Sequence, residues 1–106
     1  MFKYESIVIL KPLENKQEIS EVIEKFKNII QEFSDRKVEV NEIGLRKLAY
    51  EIRENKEGYY AQYYFWGKPE NIAELERNYR INDEVIKFMT LRCEEQEMDN
   101  SDEEER

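Results

Sequence analysis

Histidine is absent from the 106-residue chain and cysteine occurs once, as Cys93. Without histidine the commonest general base and the commonest transition-metal ligand are missing. A single thiol leaves no internal disulfide framework. Hydrolytic triads and zinc sites of the usual kinds are therefore excluded, and Cys93, at a strand end with no acid–base partner specified nearby, reads as a small apolar residue rather than a nucleophile. No run approaches the roughly 20 apolar residues that span a bilayer, and no basic-then-apolar signal segment opens the chain. These absences predict a soluble, cytoplasmic protein with no membrane partner. The glutamates near the C-terminus lack calcium-loop spacing, so no metal and no cofactor is assigned.

Charge is abundant: 40% of the residues are Asp, Glu, Lys or Arg, with a formal net of -8. As a bulk figure this argues against a nucleic-acid partner, because phosphate contacts need excess Lys and Arg. The excess is local. Residues 94–106, EEQEMDNSDEEER, hold eight acidic residues against one basic, which leaves 16 basic and 17 acidic for residues 1–93. Met98 is the only large apolar side chain after Cys93, too little to offset the entropy of ordering the segment. The expected organisation is one folded domain over residues 1–93 and a disordered acidic tail over 94–106.

Six elements are legible in the domain. Residues 2–11 mix alternation with a short apolar run and end at Pro12, a strand. Asn15 with Glu18 three residues on resembles a capping box, and Ile19, Val22, Ile23, Phe26, Ile29, Ile30 and Phe33 form one apolar stripe on the helix that follows. Residues 37–53 alternate in two phases about Gly44, which predicts a long strand with a bulge or bend there. The run ENKEG, residues 54–58, is expected to be the turn that joins it to the aromatic-rich third strand. Pro69 stands at a first helical position, Ile72, Leu75 and Tyr79 follow at helical spacing, and RIND, residues 80–83, closes that helix. Residues 85–93 alternate as a last strand.

The order β-α-β-β-α-β specifies an α+β class, the ferredoxin-like split arrangement: a four-stranded antiparallel sheet with two helices on one face. The other face is then open. Strand three offers Ala61, Tyr63 and Phe65 to one side and Tyr60, Tyr64 and Trp66 to the other, one set being core and the other available.

The segment Gly44-Leu45-Arg46-Lys47-Leu48-Ala49-Tyr50-Glu51-Ile52 resembles a signature of bacterial small-subunit ribosomal protein S-six: Gly-x-basic-x-Leu-Ala-Tyr-x-Ile. Tyr4-Glu5, Gly58-Tyr59-Tyr60 and the run from Glu74 to Arg92 are similar to the same family in order and spacing, so the resemblance covers residues 2 to about 93. It implies a non-catalytic, ribosome-associated structural protein that binds small-subunit ribosomal RNA, in the central-domain platform, together with small-subunit protein S-eighteen. A small-ligand regulatory or protein-interaction module on the same fold is the alternative. An acylphosphatase-type enzyme would need a phosphate-cradling loop with Arg after strand one, and KPLENKQ, residues 11–17, has neither Gly nor Arg.

The expected RNA contacts are phosphate contacts by Lys3 and Lys87, on one face if strands one and four are neighbours, by Arg92, in the other phase but near a strand end, and by Arg53 and Lys56 at the hairpin turn. The expected partner contacts are Glu42, Arg46 and Lys47 on strand two, which the family's sheet order places at an edge, with Tyr60, Tyr64 and Trp66 on the open face. The strand-two charges read equally as guards against unwanted edge pairing, and a protected edge is compatible with a specific interface. The aromatics invite comparison with base-stacking sheets, but the basic-Gly-aromatic-small-aromatic element is missing from EGYYAQYYFWG, which favours a hydrophobic interface or sheet-surface packing, with Trp66 as the anchor and base stacking as the second reading. Leu48 and Tyr50 read as packing residues, Tyr50 with its ring buried and its hydroxyl paired.

Overall fold

The computed structural model describes residues 1–13 and 15–93; the expected acidic tail, 94–106, lies outside the described residues. The elements are β1 (Phe2–Leu10), α1 (Lys16–Phe33), β2 (Glu39–Ile52), β3 (Asn55–Gly67), α2 (Pro69–Arg80) and β4 (Val85–Arg92). They build one sheet in the order β2-β3-β1-β4, and each neighbouring pair is antiparallel. Both helices cover one face, so the ferredoxin-like arrangement holds.

Period-two burial is what fixes the sheet to the helices. Tyr4, Ser6, Val8 and Leu10 of β1 and Ala61, Tyr63 and Phe65 of β3 point inward, against Val22, Ile23, Phe26 and Ile30 of α1 and Leu75 and Tyr79 of α2. Ile19, Ile29 and Phe33 complete the α1 stripe from half-buried positions. Two of the tyrosines in this core have their hydroxyls satisfied by core groups: Tyr63 Oη donates to the Ile23 carbonyl at 2.8 Å, and Tyr79 Oη lies 2.8 Å from Ser6 Oγ. Ser6 also meets Thr90 Oγ1 at 3.0 Å, which ties β1 to β4 on the covered face. Asn15 caps α1, its Oδ1 accepting the Glu18 N–H at 2.9 Å, as the spacing predicts. At the second helix the cap runs the other way, from the Lys68 N–H to Asn71 Oδ1 at 2.8 Å.

The β2–β3 hairpin contains both a confirmation and a correction. Gly44 has φ +106°, and pairing jumps from Glu42–Ala61 to Gly44–Tyr60, so the expected bulge is present and Ile43 is the extra residue. The turn, however, is Arg53–Glu54 rather than residues 54–58, since Ile52 pairs with Asn55 and β3 begins there. Both turn residues have positive φ, 49° and 67°, the geometry of a two-residue turn whose twist matches its strands. Glycine is not required because Asn55 Nδ2 donates to the Ile52 and Arg53 carbonyls at 3.3 and 3.1 Å and closes the turn from the strand side. Gly58 serves another end: a Cβ there would collide with Ile9 Cγ2 of β1. The hairpin arm can therefore lie close on β1 and reach β4, where Lys87 Nζ donates to Tyr50 Oη at 3.1 Å and Arg53 Nη1 donates to the Val85 carbonyl at 3.2 Å.

Candidate functional site

The face opposite the helices is assembled by register. Lys3 lies opposite Trp66, Glu5 opposite Tyr64 and Leu91, Ile7 opposite Gln62 and Met89, and Ile9 opposite Tyr60 and Lys87. Toward the Lys87 end the surface is largely apolar: Ile7, Ile9, Tyr60, Phe88 and Met89 line a pocket of about 180 Å³ together with Lys87, and Met89 and Leu91 are about half exposed. Tyr60, Tyr64 and Trp66 stand half-buried on this face while Ala61, Tyr63 and Phe65 are core, so the division of the third strand is resolved. One polar chain crosses the face, Gln62 Nε2 donating to Glu5 Oε2 at 2.6 Å and Asn41 Nδ2 to Gln62 Oε1 at 2.9 Å.

Lys3 and Lys87 do share this face, but the partner of Lys87, Ile9, lies six steps along β1 from Lys3, about 20 Å at roughly 3.4 Å per residue. They occupy opposite ends. Arg92 belongs to the end of Lys3: it pairs with Tyr4 on the covered phase, is exposed, and sets its guanidinium 4.0 Å from the Phe2 ring centroid. Arg53 belongs to the end of Lys87, where its bond to Val85 places it. Lys56 lies within β3 and not at the turn, a consequence of the tighter hairpin, and is exposed on the arm.

The strand-two residues lie on the outer strand of the sheet, exposed, as expected. They do not share a face. Glu42 is opposite Ala61 on the helix side, and its Oε1 accepts the Tyr59 hydroxyl at 2.7 Å, a bond that raises the Tyr59 phenol above its ordinary value. Beyond the bulge Arg46 falls opposite Gly58 toward the open side and Lys47 opposite Glu57 toward the other. Arg46 Nη1 donates to the Leu45 carbonyl at 2.9 Å.

Tyr50 corrects a second expectation. Its hydroxyl is paired, but its ring is 63% exposed, because the arm that carries it projects beyond the helix-covered sheet. The hydrogen bond from Lys87 to Tyr50 raises the ammonium above its ordinary value, so Lys87 is fully charged at neutral pH. Two cations escaped the sequence reading. Arg36 Cζ stands 4.1 Å from the Trp66 ring centroid, beside a hollow of about 350 Å³ lined by Met1, Asp35, Arg36 and Trp66. Arg80, in the segment read only as a helix end, lies over Phe88 with Cζ 5.5 Å from the ring centroid. The signal for Arg80 was its place in the last turn of α2, where basic residues answer the helix dipole; nothing in the spacing joined Arg36 to Trp66.

Among the described residues no three His, Cys, Asp or Glu side chains gather as a metal site, and no helix is long and apolar enough to cross a membrane. What the arrangement can do chemically is bind: an apolar and aromatic sheet face with cations at both ends.

A family profile described as Ribosomal protein S6 matches residues 3–92. Small ribosomal subunit protein bS6 of Helicobacter hepaticus is 43% identical over 91 residues, 86% of this chain and 66% of that protein. The bS6 protein of Sulfurovum sp. is 37% identical over 89 residues, 84% of this chain and 70% of that one. The chain spans about two thirds of the length of these curated relatives. In the crystal structure of 30S ribosomal protein S6 from Thermotoga maritima the same fold recurs with a TM-score of 0.80 and 38% identity over 87% of each chain.

Proposed function

The chain belongs to the ribosomal protein S6 family, whose members are structural rather than catalytic, and from that premise we propose that it is a structural component of the small ribosomal subunit. In this reading it binds small-subunit ribosomal RNA in the central-domain platform jointly with protein S-eighteen. The observation that carries the reading is the open sheet face, with Lys3 at one end, Lys87 and the neighbouring Arg53 at the other and aromatic residues between, and with exposed Arg92 near the Lys3 end on the opposite phase. The cations take phosphates, which orient a protein without reading sequence. The exposed β2 edge, with Glu42, Arg46 and Lys47, and the half-buried Tyr60, Tyr64 and Trp66 supply the surface for the protein partner.

The charge balance makes the RNA surface a composite one. Residues 1–93 hold 16 basic and 17 acidic side chains, so each phosphate contact depends on a local cluster, and a basic partner supplies the rest of the field. Fractionation of a cell lysate should place the protein with the small subunit; its absence from that fraction would refute the assignment. Titration of labelled small-subunit RNA should show weak binding by this protein alone and tight binding once S-eighteen is added. Tight binding alone would sink the composite surface while leaving the assignment.

A further inference from the structure

Three cations distant in sequence meet around one hollow at the start of β4. Arg53 comes from the hairpin tip, Arg80 from the last turn of α2 and Lys87 from β4 itself. With Tyr79, Val85, Ile86 and Phe88 they line a space of about 400 Å³ open to solvent, and no carboxylate is in that lining among the described residues. Arg53 is held by the Val85 carbonyl and Lys87 by the Tyr50 hydroxyl, both neutral, and Arg80 lies over the face of Phe88 with a long ion pair to Glu76. The neutral partners restrain Arg53 and Lys87 without cancelling their charge. The contrast is Arg77, one turn earlier on α2, whose Nη2 and Nε donate to Glu74 at 2.6 and 3.3 Å. The nearest acid to Arg80 is Glu76 at 3.8 Å, beyond hydrogen-bond distance.

We infer that this hollow is a binding site for RNA backbone phosphate, with Arg53, Arg80 and Lys87 as the phosphate ligands and the exposed Tyr50 ring as a neighbouring surface for a ribose or base. The inference rests on the RNA-binding reading above and deepens it by naming the contact. Arginine forks match phosphate oxygens in pairs, and three cations unpaired at hydrogen-bond distance by any carboxylate are what a near-neutral domain needs at one place. The Tyr50 ring, 63% exposed beside Lys87, favours a nucleotide over an acidic protein segment, because it offers a stacking plane that a carboxylate chain does not use.

The test compares the full chain with a triple variant, Arg53→Gln, Arg80→Gln and Lys87→Gln, and with Arg77→Gln as the control on the same helix. Binding to labelled small-subunit RNA is measured with S-eighteen present over a series of salt concentrations. The triple variant should lower the slope of log K against log salt by about 2, each lost phosphate contact contributing roughly 0.7 to 0.9, and Arg77→Gln should leave it unchanged. An unchanged slope in the triple variant, or an equal loss in Arg77→Gln, overturns the site. A second arm needs no ribosomal component: an NMR titration of the full chain with inorganic pyrophosphate should shift the amides of Arg53, Arg80, Ile86 and Lys87 in the unaltered protein and not in the triple variant. Shifts spread evenly over all surface cations, or shifts centred elsewhere, overturn it too. If the protein were missing from the small-subunit fraction while pyrophosphate still chose this hollow, the family-based function would fall and the site would stand. If an acidic peptide displaced RNA from the hollow and bound it with the higher affinity, the site would belong to a protein partner and the inference would be wrong.

Discussion

Adding one carbon at Gly58 tests how the hairpin arm is seated. Gly58 is buried, lies opposite Arg46 on β2, and a Cβ there would overlap Ile9 Cγ2 while touching the Leu10 carbonyl at 3.4 Å and Leu48 Cδ2 at 3.5 Å. Ile9 is 7% exposed and the Leu10 carbonyl is backbone of a central strand, so neither yields freely. Gly58→Ala therefore behaves as overpacking, at a cost of about 1–3 kcal/mol. For a domain of this size that is a fall in Tm of about 4–24 °C, at roughly 4–8 °C per kcal/mol. Calorimetry measures the loss, and a double-mutant cycle with Ile9→Ala identifies its cause. Ile9→Ala alone should cost about 2–5 kcal/mol, but the double variant should be more stable than the sum by about 0.5–3 kcal/mol, because the colliding methyl has gone. Gly44→Ala supplies the contrast. There φ is +106° and the nearest atom is Arg46 Nη1 at 3.7 Å, so its cost of about 1–2 kcal/mol is backbone strain that Ile9→Ala does not relieve. A Gly58→Ala protein with an unshifted midpoint, or additive behaviour with Ile9→Ala, would show that the arm does not rest on β1 as described.

Other substitutions probe the interior and the first helix. Ser6→Ala strands the Tyr79 hydroxyl in the core at about 1–3 kcal/mol, whereas Tyr79→Phe leaves Ser6 its bond to Thr90 and costs nearer 1 kcal/mol; urea midpoints in the opposite order would contradict the network. Burial pushes the Tyr63 and Tyr79 phenols well above the ordinary 10.0, so both stay protonated in the folded chain while the unfolded chain ionises near pH 10. The stability they confer is full below pH 10 and lost as pH rises above it, at about 1.4 kcal/mol per pH unit for each phenol, and Tyr79→Phe should lower the slope above pH 10 by about that one phenol's share in unfolding experiments. Asn15→Ala removes the cap of α1 and should cost about 1 kcal/mol by thermal melting, with Asn15→Asp retaining most of the stability.

Much of this fold is readable from residue periods because burial enforces them. A one-residue slip of β3 would expose Tyr63 and Phe65 and bury Gln62, so the alternation of YYAQYYFWG admits one register against the helices. The turn was harder for a definite reason. ENKEG contains both residues that shape the hairpin, but their tasks differ: Asn55 closes a turn formed by its two predecessors, and Gly58 makes room for Ile9, a residue 49 positions away. Neither Arg53 nor Glu54 carries the glycine or asparagine that marks left-handed turn positions, so the composition of the turn itself was silent.

The candidate site divides along the same line. Which face a cation occupies follows from alternation, and Lys3 and Lys87 were placed together on that basis; how far apart they lie follows from register, which sets them at opposite ends of β1. The neighbourhood of Arg53 and Lys87 arises from the reach of the hairpin arm, and no local period records it. Arg77 and Arg80 pose the sharpest case. Each stands in the last turn of α2 with an acid three or four residues earlier, and each counts once among the 16 basic residues of the domain. Glu74 binds Arg77 at 2.6 Å, whereas Glu76 stays 3.8 Å from Arg80, which also lies over the face of Phe88. A near-zero net charge therefore says little about affinity for phosphate. What matters is which cations the fold keeps from hydrogen bonds to acidic neighbours: Arg53 and Lys87 bond to neutral groups, and Arg80 lies over Phe88 with Glu76 at 3.8 Å.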